Sequence, residues 1–396
     1  MGNRILHLGR DERGMSLVFV GIGLTAFIAA TTLAIDVGMF MNARTQAQNS
    51  ADSGALAGVT ALYFNDYNNR SAGGPAVQSA MNAAKVNKVI FESPSVLPAD
   101  VTFPLSPAGL NNRVKVDVFR TAARGDAVPT LIGSMFGVRT VNIAATATAE
   151  ATPANAMTCV KPFMIPDKWE EHQTPPWDPN DTYNHYDKKG NVIPDPDVYI
   201  PVRNCPTCKD NTAYTGYSVK NDKGLRLVLR AGTGDNINPS FYYSWKMPDD
   251  IGGDFYRENI ANCNKSMMHW FDPMTQEPGD MTGPTIQGIQ ALIDKDPGAY
   301  WQSGDNGGCN CVKNSKYAGQ SPRVFPIPLY DPEYYALGKK NGRVADFRVA
   351  QFLGFFADRV AGNQIYGYVT NVTGIVDING GTVPAGLFPV SIRLVE

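Results

Sequence analysis

Charge is scarce in this chain: Asp, Glu, Lys and Arg make up 18 % of its 396 residues and leave a net charge of -2. No dense Lys/Arg run occurs, so the clustered positive charge that phosphate backbones require is missing and nucleic acid is excluded as a partner. Histidine is nearly absent, with only His7, His172, His185 and His269. None belongs to a His-x-x-His or Glu-paired metal motif, and the sequence holds no Gly-x-Ser-x-Gly elbow, phosphate-binding loop or dinucleotide fingerprint. Nucleophilic and nucleotide chemistry therefore lack local support, and no enzyme activity, cofactor, bound metal or small-molecule substrate is expected. No internal repeat is apparent, which excludes a solenoid.

What is present is apolar and turn-rich. Hydrophobic residues reach 43 %, enough for a sizeable core, and 38 Gly with 28 Pro point to short elements joined by irregular connections. Met15 to Ile35 reads MSLVFVGIGLTAFIAATTLAI, 21 residues without an ionisable group. As a helix it would be about 31 Å long, the thickness of a bilayer's hydrocarbon. Ser16, Thr25, Thr31 and Thr32 can return their hydroxyl bonds to carbonyls one turn back. A cleaved secretory signal normally has a shorter apolar region. Arg4, Arg10 and Arg13 precede the span, whereas Arg44 is the only basic residue after it through Phe64. The positive-inside bias thus predicts a cytoplasmic N-terminus and export of everything from Asp36 onward, with Asp36 hydrated at the outer interface.

Past Asp36, Ala43, Ala47, Ala51 and Ala55 recur every fourth residue and form a smooth stripe on one helical face, flanked by Gln46, Gln48, Asn49 and Asp52. Small side chains allow close backbone approach, either within the same domain or to a partner subunit.

The succession Arg13-Gly14, an apolar span, Ile35-Asp36-Val37-Gly38, Ala43-Arg44, Gln46 to Gln48 and then Asn49 to Gly58 (NSADSGALAG) resembles the N-terminal region of TadG-like Flp (tight adherence) pilus-assembly proteins. The likeness extends less tightly to about residue 150, and residues 159–169 (CVKPFMIPDKW) are similar to a later landmark of some relatives. The resemblance implies a non-enzymatic envelope protein of a pilus-assembly system, single-pass in the bacterial inner membrane and exposed to the periplasm. Its implied partners are the lipid bilayer and proteins of the pilus apparatus. Many relatives carry a von Willebrand A domain, but its Asp-x-Ser-x-Ser metal cluster does not occur here. Gly14-Met15 before an apolar helix also resembles a prepilin-peptidase junction. Phe19 stands where pilins have Glu, which favours an uncut anchor.

The expected fold class is α+β. The chain divides into a cytoplasmic N-terminus (1–14), a transmembrane helix (15–35), a long helix continuing into a small α+β domain (36–152), and a loop-rich, mainly β exported domain with disulfides (153–396). Helical spacing predicts a second helix over 76–90. Val114 to Val118 alternates as a strand, Pro129 to Phe136 suits a short helix, and Thr140 to Ala151 is β-like. Farther on, 217–231 and 241–246 are strand candidates, 345–356, 364–373 and 388–395 read as core strands or a buried helix, and together these segments can form one sheet.

All six cysteines, Cys159, Cys205, Cys208, Cys263, Cys309 and Cys311, follow the span, and their even number suits structural disulfides in an oxidising compartment. A zinc site from Cys205, Cys208, Cys309 and Cys311 and redox chemistry at Cys205 and Cys208 are the weaker alternatives. The stretch 178–197 (DPNDTYNHYDKKGNVIPDPD) offers oxygen ligands for calcium, yet it lacks the glycine and glutamate of a calcium loop and reads as Asx turns and a hairpin. Trp169, Trp177, Tyr183 and Tyr186 either cover a core or form a binding surface. The latter supports an alternative reading as an adhesin for a surface polymer, and a membrane-tethered periplasmic enzyme is a third.

Overall fold

A computed structural model describes residues 13–107, 109–202, 213–232, 234, 236–248, 251–305, 308–317, 320–340, 347–378 and 386–395. It begins with one unbroken helix, α1 (Arg13–Phe64), of 52 residues, about 78 Å long at the standard rise. No proline interrupts it, and its first half carries no polar side chain that competes for backbone bonds beyond its hydroxyl groups. Thr25 and Thr31 return those to Gly21 O and Phe27 O, each at 2.8 Å.

The second half of α1 packs against α2 (Pro75–Val86), which starts with Pro in the first turn, where its missing N–H is harmless. Both helices lie on one face of a five-stranded sheet ordered Val101–Thr102, Arg113–Arg120, Ile143–Pro153, Pro389–Leu394, Val372–Thr373. The predicted alternation is what makes this layer. Val114, Val116 and Val118 pair with Ala149, Ala147 and Ala145 and turn together to the helices, fully or nearly fully buried. Gly58 keeps the helix close: a Cβ there would lie 2.8 Å from Val114 Cγ1 and 3.0 Å from Ala80 Cβ.

Six of the remaining strands build a second sheet whose pairings close on themselves. Phe347–Ala361, Val324–Tyr330, Phe163–Pro166, Phe241–Ser244, Arg226–Ala231 and Gln364–Thr370 follow one another, and Gln364–Thr370 pairs back onto Phe347–Ala361. The strand Phe347–Ala361 makes closure possible. Its 15 residues serve Val324–Tyr330 along 349–356 on one edge and Gln364–Thr370 along 354–361 on the other. Phe163, Ile165, Leu227, Leu229, Ile327, Leu353, Phe355 and Ile365 form the buried cluster, joined by Tyr256, Ile260, Ile289 and Leu292 of two packed helices. Helices α3 (Val219–Asp222), α4 (Gly253–Ala261), α5 (Thr282–Lys295) and α6 (Pro332–Lys340) complete this part.

The α+β class and the β-rich C-terminal region stand as expected, with three differences. Of the candidates 364–373 and 388–395, residues 372–373 and 389–394 do not join the other C-terminal strands. They cross to the first sheet, where Val390 to Leu394 pair with Pro153 to Ala149 and cover an edge that would otherwise present bare backbone groups. The run 217–231 is split, because Ser218 N donates to Asp222 Oδ2 and starts a helical turn before the strand begins at Arg226. The helix expected over 129–136 shrinks to a single 3-10 turn, Gly133–Phe136, for a reason given next.

Candidate membrane anchor and the ends of the long helix

Met15 opens a helical stretch of α1 long and apolar enough to cross a membrane, and none of its most apolar window is buried by the rest of the protein. Leu17, Phe19, Phe27 and Leu33 all expose about two thirds or more of their surface. Side chains of this kind find a favourable environment only in hydrocarbon or against another apolar surface.

Asp36 closes the apolar run, but it is not hydrated as expected: only 6 % of its surface is exposed. Its carboxylate accepts backbone N–H bonds from Leu131 at 3.0 Å, Ile132 at 3.2 Å and Gly133 at 2.7 Å. Those three donors belong to the segment expected to be helical. The chain just before them is committed to strand pairing, Thr130 N donating to Arg139 O at 3.0 Å, so helical geometry begins only at Gly133. The turn sits in a hairpin whose flanks pair Val128 with Val141 and Pro129 with Thr140.

The stripe continues directly above. Ala43, Ala47, Ala51 and Ala55 are each no more than 1 % exposed, and all belong to the cluster built with α2 and the first sheet. Polar residues beside the stripe bond to the same domain, while Asn49 is exposed. Gln46 Oε1 accepts the N–H of Ile90 at 2.8 Å, Gln48 Nε2 donates to Thr146 O at 3.0 Å, and Ser50 Oγ donates to Ala84 O at 2.7 Å. The stripe therefore lies against its own domain, and none of it is left for a partner.

At the far end of α1 the closed sheet takes over the capping. Asn371 Nδ2 donates to Tyr63 O at 2.6 Å, and Lys223 Nζ lies 3.5 Å from both Tyr63 O and Phe64 O. A cation here complements the negative end of the helix. Burial pushes the Lys223 ammonium down to about 8, with Asp66 pulling the other way. A cleft of about 650 Å³ opens around these groups, lined among others by Tyr63, Tyr67, Asn111, Lys220, Lys223 and Asn371. Nothing local in the sequence marks Lys223, Asn371 or the 131–133 turn as partners of α1, since each lies tens to hundreds of residues away.

Among the cysteines, Cys159 is bonded to Cys263 and Cys309 to Cys311. Cys205 and Cys208 lie outside the described residues, so the redox reading falls there, while two of the four thiolates of the zinc reading are bonded to each other. The acidic loop uses its carboxylates on its own backbone. Asp187 Oδ1 accepts the N–H groups of Lys189 and Asn191 at 2.8 Å each, and Asp197 accepts those of His172 and Asn184. Among the described residues no three His, Cys, Asp or Glu converge as a metal set. Trp169 and Tyr183 are buried, their rings 5.4 Å apart, and Trp169 also meets Trp177 edge to face. Trp177 and Tyr186 are half-buried.

Two buried ionisable groups stand out within the closed sheet. Asp167 accepts bonds from Tyr199 Oη at 3.0 Å, Tyr214 Oη at 2.6 Å and Tyr217 N at 3.1 Å, yet burial outweighs them and pushes it up to about 6. Lys161 Nζ reaches Asn262 O at 2.6 Å and Asn259 O at 3.3 Å at the C-terminal end of α4, and burial with nearby Lys295 pushes it down to about 7.

Residues 14–61 match the family described as "Putative Flp pilus-assembly TadE/G-like". No curated protein and no solved structure matches the chain. The matched residues fall inside α1, taking in the apolar half, Asp36 and the complete alanine stripe.

Proposed function

We propose that this protein is a single-pass component of the bacterial inner membrane that serves Flp-type pilus assembly or anchoring through contacts with other proteins of the apparatus, without catalysing a reaction. The observation that carries the reading is the coincidence of the family match at 14–61 with one continuous helix that is exposed and apolar below Asp36 and packed above it. The arginine bias ahead of the span supports a cytoplasmic N-terminus and a periplasmic body, and the disulfides Cys159–Cys263 and Cys309–Cys311 suit that compartment. Support for a non-catalytic role comes from the described histidines and buried carboxylates, which are engaged in bonds that order loops and cap helices. His269, for example, is held by Asp377 at 2.8 Å. Because the alanine stripe is covered within the chain, partner proteins would meet the outer surfaces of the periplasmic body. The anchor is read as uncut at Gly14-Met15, which the intact mass of membrane-purified protein checks.

The test is genetic. A strain lacking the chain is expected to lose its Flp-type pili, with piliation restored by the full chain but not by an exported version without residues 15–35. Normal piliation in the deletion strain would overturn the proposal.

A further inference from the structure

The hairpin 128–141 does not stay at the level of Asp36. It lies back along α1 in the direction of the membrane: Thr130, Ile132, Gly133 and Val138 line one recess with Ala29, Leu33, Val37 and Phe40. Ala29 is two turns before Asp36, about 10 Å deeper along the helix axis. We propose that this hairpin is a second membrane-contacting element, bedded in the outer-leaflet interface beside the span. The inference rests on the reading that residues 15–35 cross the bilayer.

Three independent features of the hairpin fit lipid and not water. Its tip, residues 131–138 (LIGSMFGV), has no ionisable group, and Arg139 follows where a cation can meet a phosphate headgroup. Leu131 is 65 % exposed and Val138 52 %, on the same recess or next to it, so its apolar surface continues that of the helix at Leu33 and Val37. Its backbone is unusually well satisfied for an irregular turn. Leu131, Ile132 and Gly133 give their N–H groups to Asp36, and Thr130 N donates to Arg139 O at 3.0 Å. Val138 N donates to Gly133 O at 2.9 Å, and Thr130 Oγ1 to Val138 O at 2.6 Å. Non-helical backbone is tolerated at membrane depth only when its polar groups are paired within the protein. Asp36 supplies the acceptor that the turn itself lacks.

The experiment uses the full chain, unreduced, in phosphatidylethanolamine–phosphatidylglycerol vesicles with an environment-sensitive NBD label on single introduced cysteines. Leu131→Cys and Val138→Cys probe the hairpin, Phe27→Cys the span and Asn68→Cys the exposed far end of the domain; the unsubstituted chain is the labelling blank. Lipids carrying a shallow nitroxide are expected to diminish emission at 131 and 138, lipids carrying a deep acyl-chain nitroxide to diminish it at 27, about 13 Å below Asp36, and both to leave 68 unchanged. Quenching at 27 without quenching at 131 and 138 overturns the hairpin proposal while the span stands. Emission at 131 and 138 that is shifted to the blue but not quenched assigns the face to a protein contact and also overturns it. Absence of quenching at 27 removes the span itself, and the proposal with it.

Discussion

The carboxylate of Asp36 accepts the backbone N–H of Gly133 at 2.7 Å across 97 residues of sequence. This bond joins the residue that closes the apolar run to a turn of the first domain, and so ties that domain to α1 at the end of its apolar stretch. Replacing Asp36 with Ala leaves three N–H groups without their acceptor. We expect the Ile132 and Gly133 amides of the full chain in micelles to exchange faster with deuterium, while amides in the strand Arg113–Arg120 keep their protection.

Close packing at the alanine stripe leaves no room for a larger side chain. Ala51 is wholly buried and belongs to the cluster between α1, α2 and the first sheet. Ala51→Leu should destabilise the protein by about 1 to 3 kcal/mol, read as a lower urea midpoint. Ala57→Ser, at a half-buried position of the same helix off the stripe, should change little.

The buried ionisable groups give stability a specific pH profile. Asp167 rises from its ordinary 3.8 to about 6 on folding. Its contribution is therefore fully present below pH 4 and lost as pH rises to 6, on the order of 3 kcal/mol. Lys161, held near 7 against 10.5 unfolded, acts at the other end: the unfolded chain binds the proton more tightly, so stability grows from about pH 7 toward 10. Urea unfolding across pH should show both slopes. Asp167→Asn is expected to remove its share of the acidic slope without touching the alkaline one, and Lys161→Met the reverse, with Lys223 leaving a remainder above pH 8.

The two disulfides among the described residues differ in what they constrain. Cys159–Cys263 closes a separation of 104 residues and Cys309–Cys311 a separation of 2. In the chain-entropy account, losing the first costs about 4 to 5 kcal/mol and losing the second about 1 to 2. Paired Cys→Ser variants compared by urea midpoint check this order, and equal losses would contradict it.

How much of this was legible in sequence follows from the range of the interactions. The span, the alanine stripe and the alternation of Val114 to Val118 are local periodicities, and each reads directly from residue spacing. Helix α5 was hidden because Gly283, Pro284 and Gly288 break its pattern. Gly288 is there for packing: a Cβ would come 2.6 Å from Ile260 Cβ of α4. The socket around Asp36, the caps at Tyr63 and Phe64 and the crossing of Pro389–Leu394 to the first sheet depend on partners far away in sequence. So do the cysteine pairings, for which six residues allow 15 arrangements. No spacing rule reaches them.

Membrane crossing with an exported body is the claim on which the rest depends. Its most direct measurement is a pair of C-terminal fusions to the full chain, one to alkaline phosphatase and one to a fluorescent protein that matures only in the cytoplasm, each assayed in membranes washed with alkaline carbonate. The account predicts active phosphatase, a dark fluorescent protein and retention in the washed membranes. A bright fluorescent protein with inactive phosphatase, or release of the chain by carbonate, would contradict it.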